Sequence, residues 1–134
     1  MSKLSDIEGI GEKYANKLKE AGVTTIENLL EKCCSKKGRS ELAGKTGIKE
    51  KMILIWVNKA DLARINGVST QYADLLKYTG VDTIAELAQR NPENLFAKIV
   101  EANEGGVLVK KLPTQSQVSE WIVQAKELPR LITY

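Results

Sequence analysis

Histidine is absent from this chain of 134 residues, which removes the side chain that most often serves as general base, proton shuttle or metal ligand near neutral pH. Many enzyme mechanisms go with it. Cysteine is scarce too. The two present, Cys33 and Cys34, are adjacent, a spacing that fits neither a disulfide framework nor the CxxC pairs of a zinc site. They read as ordinary thiols, buried or half-exposed, acting as small hydrophobes. Aromatics make up 5% of the chain and prolines number three. Against that, Leu, Ile, Ala, Lys and Glu abound, so an all-α fold is expected. No apolar run approaches the roughly twenty residues that cross a bilayer. The opening residues also lack the hydrophobic stretch of a secretory leader, so no membrane partner and a cytoplasmic location are expected.

What is present begins with an uneven charge. The net +3 arises entirely in the first half, where residues 1–62 hold 12 Lys/Arg against 9 Asp/Glu while residues 63–134 hold 8 against 8. The excess is densest from Lys32 to Lys51, where Lys32, Lys36, Lys37, Arg39, Lys45, Lys49 and Lys51 face only Glu41 and Glu50 (7 − 2 = +5). Most such runs are solvated faces; this one adjoins a turn that matters below.

The chain also repeats itself. With an offset of 58 (65 − 7), Ile7 falls on Ile65, Gly9 on Gly67, Tyr14 on Tyr72, Leu18 on Leu76, Gly22 on Gly80 and Leu29 on Leu87. Agreement this sustained marks an internal duplication. It divides the chain into repeats 1–62 and 63–134. Later the offset grows to 66, pairing Val57–Ile65 with Val123–Leu131. The second copy therefore carries about eight extra residues, placed by Gly105-Gly106 and Pro113 in a loop or short hairpin near 103–113.

Within each copy, Tyr14, Leu18 and Ala21 recur at helical spacing and Gly22 stops the helix as a left-handed cap. Thr24 or Thr25, and Asp82 or Thr83, are placed to cap the next helix. Longer helices are expected over 49–63, with Met52, Ile53, Trp56 and Ala60 on one stripe, and over 115–128, with Val118, Trp121, Ile122 and Ala125. Both tryptophans read as core. Nothing breaks the chain between Val57 and Ile65, so the copies share a long connecting helix.

A turn of a few residues between two helices needs one position of positive φ and one without a Cβ where the helices approach. Gly9 and Gly11 supply both, and Ile10 between them ties the turn to the core. Beyond Gly11 the first N–H groups of the next helix carry the positive end of its dipole, a ready site for an anion. Lys13 and Lys17 add charge to it. The second copy offers Gly67, Val68, Ser69 and Gln71, a weaker set. A third, degraded version lies at Gly47, Ile48 and Lys49.

The spacing Leu4-x-x-Ile7-x-Gly9-Ile10-Gly11-x-x-x-Ala15-x-x-Leu18 resembles the helix-hairpin-helix motif of DNA-repair and recombination proteins. The resemblance implies two fused, paired helix-hairpin-helix repeats of the SAM-like kind. It also implies hairpin amides that contact DNA phosphates without reading sequence, often with a monovalent cation held by hairpin carbonyls. The stretches around Gly38–Ile48, Trp56–Ile65, Tyr72–Leu95 and Leu128–Tyr134 further resemble a bacterial family of domains of unknown function, number 4332.

The expectation is a non-enzyme. Glu8, Glu12, Glu86 and Glu93 are isolated carboxylates with no nucleophile–base pair or metal cluster beside them, and no cofactor is expected beyond the monovalent cation that the resemblance implies. The expected function is nonspecific DNA binding. It would use Gly9, Ile10, Gly11, Lys13, Lys17, Gly47, Lys49 and Lys51, with Lys36, Lys37 and Arg39 from the basic run. The alternative is a protein-interaction scaffold with purely structural hairpins, its carboxy-terminal tail engaging a protein partner or a second copy.

Overall fold

Helices in this chain mostly begin where a hydroxyl or amide oxygen can close the first turn. Thr25 accepts from Asn28 N–H, Ser35 from Gly38, Thr83 from Glu86, Asn91 from Asn94 and Thr114 from Gln117, and the helices that follow are α2, Ile26–Cys33; α3, Lys36–Thr46; α6, Ile84–Ala88; α7, Pro92–Ala102; and α8, Gln115–Glu127. The remaining helices are α1, Glu12–Glu20; α4, Glu50–Leu62; and α5, Thr70–Tyr78. The computed structural model describes residues 3–106 and 108–134; within them the protein is all-α, and its one extended pairing is an isolated bridge between Lys3 and Thr25. Of the capping alternatives read from sequence, the chain uses Thr25 and Thr83.

The chain divides into two compact units, one of residues up to Asp61 with Leu131–Tyr134, the other of Leu62–Arg130. In the first, Ile7, Leu18, Leu29, Ile53 and Trp56 form the core together with Ile132. In the second, Ile65, Leu76, Leu87, Val118 and Trp121 take corresponding places. Helix α1 ends in a Schellman cap: Gly22 has φ +88°, with Val23 N–H donating to Leu18 O at 2.8 Å and Gly22 N–H to Lys19 O at 3.0 Å. Helix α5 ends identically at Gly80, φ +92°. Each tryptophan is 2% exposed. Each meets the tyrosine of its own unit at a ring separation of 5.4 Å, Tyr14 with Trp56 and Tyr72 with Trp121.

The late register differs from the sequence reading. Buried Ile53, Trp56, Val57 and Ala60 answer to buried Val118, Trp121, Ile122 and Ala125, an offset of 65 (121 − 56) instead of 66. The chain reaches it in two steps. Helix α6 is five residues where α2 is eight, and the N-caps Ser35 and Asn91 stand 56 apart (91 − 35). Twelve residues then separate α7 from α8, against three between α3 and α4. The extra nine are organised by one buried side chain: Asn103 donates to Val109 O at 3.0 Å and accepts from Leu108 and Val109 N–H at 2.9 and 2.8 Å. Val107, within the loop expected at 103–113, lies outside the described residues.

Candidate functional site

The first glycine turn is built from a 3-10 segment, Leu4–Asp6, that delivers buried Ile7 to the core. Ile10 N–H donates back to Ile7 O at 3.1 Å, closing the turn. Gly9 sits at φ +96°, a backbone angle that calls for glycine, and a Cβ there would touch Trp56 Nε1 at 3.4 Å. Ile10 is 2% exposed and anchors the turn from inside.

Gly11 serves differently. Its backbone is ordinary extended chain, φ −83°, and it is the N-cap of α1 with no side-chain hydrogen bond to the helix. A Cβ built on it would meet nothing within 4 Å. The N-terminal amides of α1 therefore face an open approach, with exposed Lys13 in the first turn. Lys17, half-buried, holds its ammonium 5.9 Å from the centre of the Tyr14 ring.

The second turn repeats the backbone and closes the entrance. Gly67 has the same φ, +96°, with Trp121 Nε1 3.0 Å from where its Cβ would be, and Val68 is buried. Ser69 is the N-cap of α5, and its hydroxyl accepts from Tyr72 N–H at 3.2 Å. The equivalent amide in the first unit, that of Tyr14, faces Gly11. Gln71 is exposed where the first unit has Lys13. A cleft beside Gly67 is also lined by Glu120 and Glu127.

The third turn shares this plan. Gly47 is left-handed, φ +75°, and ends α3; Ile48 is buried. Lys49 precedes α4, its carbonyl accepting from Met52 and Ile53 N–H at 3.0 and 3.2 Å. Lys49 and Lys51 are exposed, as are Lys36 and Lys37 in the first turn of α3, which holds no acidic residue. Cations at a helix N-terminus oppose the dipole, and an anion there would relieve it.

Arg39 stands apart from this exposed set. It is 4% exposed, and its guanidinium donates to Cys33 O at 3.0 Å, Cys34 O at 3.1 Å and Thr133 O at 2.6 Å. Thr133 N–H in turn donates to Cys34 O at 2.8 Å, and the Tyr134 ring lies 5.9 Å from the guanidinium carbon. Arg39 thus clamps the Leu131–Tyr134 segment. Its donors are turned to the chain's own carbonyls, and the fold withholds it from the exposed lysines. Burial also pushes the Cys33 thiol up to about 11 from 9.0, partly offset by the Arg39 charge.

Two participants escaped sequence reading: Lys59 and Gln124, side chains of α4 and α8 that bond to the Glu8 and Asn66 carbonyls at 3.3 and 3.1 Å. An offset of 66 sets Lys59 against Ala125 and hides the equivalence, which appears at 65 (124 − 59). The available signal was a lysine three places after Trp56, on the core-facing side of its helix.

Among the described residues no group of three or more His, Cys, Asp or Glu is placed to hold a metal ion, and no helix is long and apolar enough to cross a membrane. The profile of a family described as Domain of unknown function (DUF4332) matches residues 8–128. The chain belongs to that family. No curated protein and no solved structure matches it.

Proposed function

We propose that this member of the DUF4332 family is a non-enzymatic, nonspecific DNA-binding protein whose glycine turns are helix-hairpin-helix elements and whose first turn holds a backbone phosphate. The observation that carries this reading is the contrast at one position. Gly11 leaves the amides of α1 without a side-chain cap, whereas Ser69 occupies the equivalent amide of α5 with its own hydroxyl. An anion can take the place that Ser69 fills for itself. Lys13 adds a point charge, and Lys36, Lys37, Lys49 and Lys51 supply an exposed basic surface in the same unit. Such contacts position a duplex without reading it.

The scaffold alternative draws on the second unit, where the capped turn and its neighbouring carboxylates suit architecture better than anion binding. A tail-docking partner, however, would have to displace Ile132 from the first core and Thr133 from Arg39.

Gly11→Ser separates the two readings. The backbone there accepts a Cβ, and the new hydroxyl would cap Tyr14 N–H as Ser69 caps Tyr72. The variant should gain roughly a few tenths of a kcal/mol in stability while losing affinity for a labelled duplex in anisotropy titrations at low salt. Wild-type affinity should fall with log salt at about −0.9 per phosphate contact. Unchanged duplex binding by Gly11→Ser, or no binding by the wild type at low salt, would reject the proposal. Tighter binding to single-stranded DNA or RNA would reassign the ligand.

A further inference from the structure

Lys59 lies on the inner side of α4 and is 8% exposed, its ammonium donating to the Glu8 carbonyl at 3.3 Å. In the second unit Gln124 donates to the Asn66 carbonyl at 3.1 Å and accepts from Asn66 N–H at 2.9 Å. Glu8 and Asn66 are themselves equivalent (66 − 8 = 58). Each turn is thus latched from the same point of the last helix of its unit, one by an ammonium and the other by a neutral amide.

As a latch alone, glutamine is the better residue. Its amide satisfies both the donor and the acceptor of one backbone residue and brings no charge out of water, whereas lysine cannot accept a hydrogen bond and is rarely buried this far. The charge is what lysine adds. Three differences between the turns, Gly11 for Ser69, Lys13 for Gln71 and Lys59 for Gln124, each favour an anion at the first turn, while Glu8 for Asn66 and Glu12 for Thr70 oppose one.

We propose that Lys59 is a positioning residue of the phosphate site. It holds the Glu8 peptide from beneath and supplies from within the chain the positive charge that a bound monovalent cation would otherwise bring to the carbonyls of the turn. Glu8 O already faces the Lys59 ammonium at 3.3 Å, and that positive charge disfavours an added cation at this atom. The inference rests on the reading of the Gly9–Gly11 turn as a phosphate site.

The test compares Lys59→Gln and Lys59→Met with the wild type by amide hydrogen exchange across residues 8–14 and by duplex titration in sodium, potassium and tetramethylammonium salts at equal ionic strength. Lys59→Gln preserves the latch, as Gln124 does, so exchange stays at the wild-type rate while duplex affinity falls about three- to tenfold. Its salt slope stays unchanged because Lys59 touches no phosphate, whereas Lys13→Gln lowers the slope by about 0.9. Lys59→Met loses the latch and speeds exchange. Wild-type affinity is the same in all three salts. Full duplex affinity in Lys59→Gln, or wild-type binding that depends on the identity of the cation, overturns the proposal. If the wild type binds no duplex, the phosphate reading fails and the charge role falls with it, while exchange in the two variants still decides the latch.

Discussion

Gly9 and Gly67 share φ +96° and a tryptophan edge at the place a Cβ would fill, whereas positions 11 and 69 share an extended backbone that any residue adopts. The first pair is dictated by geometry, and the second is free to differ. That freedom is where the two turns diverge, one with an open amide and one capped. At the same scale, the Cys33 thiol is 0% exposed and is pushed up to about 11, first by burial. Its folded value lies above its unfolded one, so the unfolded chain releases this proton more readily as pH rises from about 9 to 11. The stabilisation from keeping Cys33 neutral is complete below that window and is lost through it. Urea midpoints should fall across this range in the wild type and fall less in Cys33→Ala, and alkylation of the folded protein at pH 8 should modify half-buried Cys34 ahead of Cys33.

Among elements, the glycine turn is a unit with separable parts. Its fold comes from the positive-φ glycine, the buried Ile10 or Val68 and the latch from the last helix; its ligand capacity would come from the N-cap and the following exposed position. Converting the second turn with Ser69→Gly and Gln71→Lys should therefore cost α5 roughly a few tenths of a kcal/mol and give the protein a second, weaker duplex site, Glu120 and Glu127 opposing it. Stoichiometric titration with a short duplex should move from one site toward two. A stoichiometry that stays at one would show that the open amide and its lysine are insufficient. The turn residues themselves were legible in the sequence because glycine at a required backbone angle leaves a spacing that survives duplication. The late register was not. A shortened α6 and a lengthened α7–α8 loop shift the alignment in opposite directions, and only the buried faces of α4 and α8 show that Trp56 answers to Trp121.

For the whole molecule, charge and chain ends sort unequally between the two units. Residues up to Asp61 with Leu131–Tyr134 hold the entire net charge, 12 − 9 = +3, and Leu62–Arg130 balances 8 against 8. A basic first unit is where phosphate affinity should reside, with a neutral second unit adding little. The first unit also depends on the far end of the chain, because Ile132 is 2% exposed in its core and Thr133 pairs with Cys34 and Arg39. Deleting Leu131–Tyr134 removes that side chain and strips partners from a buried guanidinium. The loss should be about 2–4 kcal/mol, read as an early urea transition of the first unit with the second unchanged. A single transition at the wild-type midpoint would show the segment to be dispensable.

Composition and periodicity alone determined that this protein is helical, that it is written twice, and that glycines at positions 9 and 67 turn the chain, because helix propensity, apolar spacing and positive φ are local demands met by local residues. Tertiary structure decided the rest. Whether an N-cap is open, that Arg39 reaches a carbonyl 94 positions away, and that Lys59 reaches back 51 positions to Glu8 all depend on which side chains packing brings together, and sequence spacing carries no record of those distances.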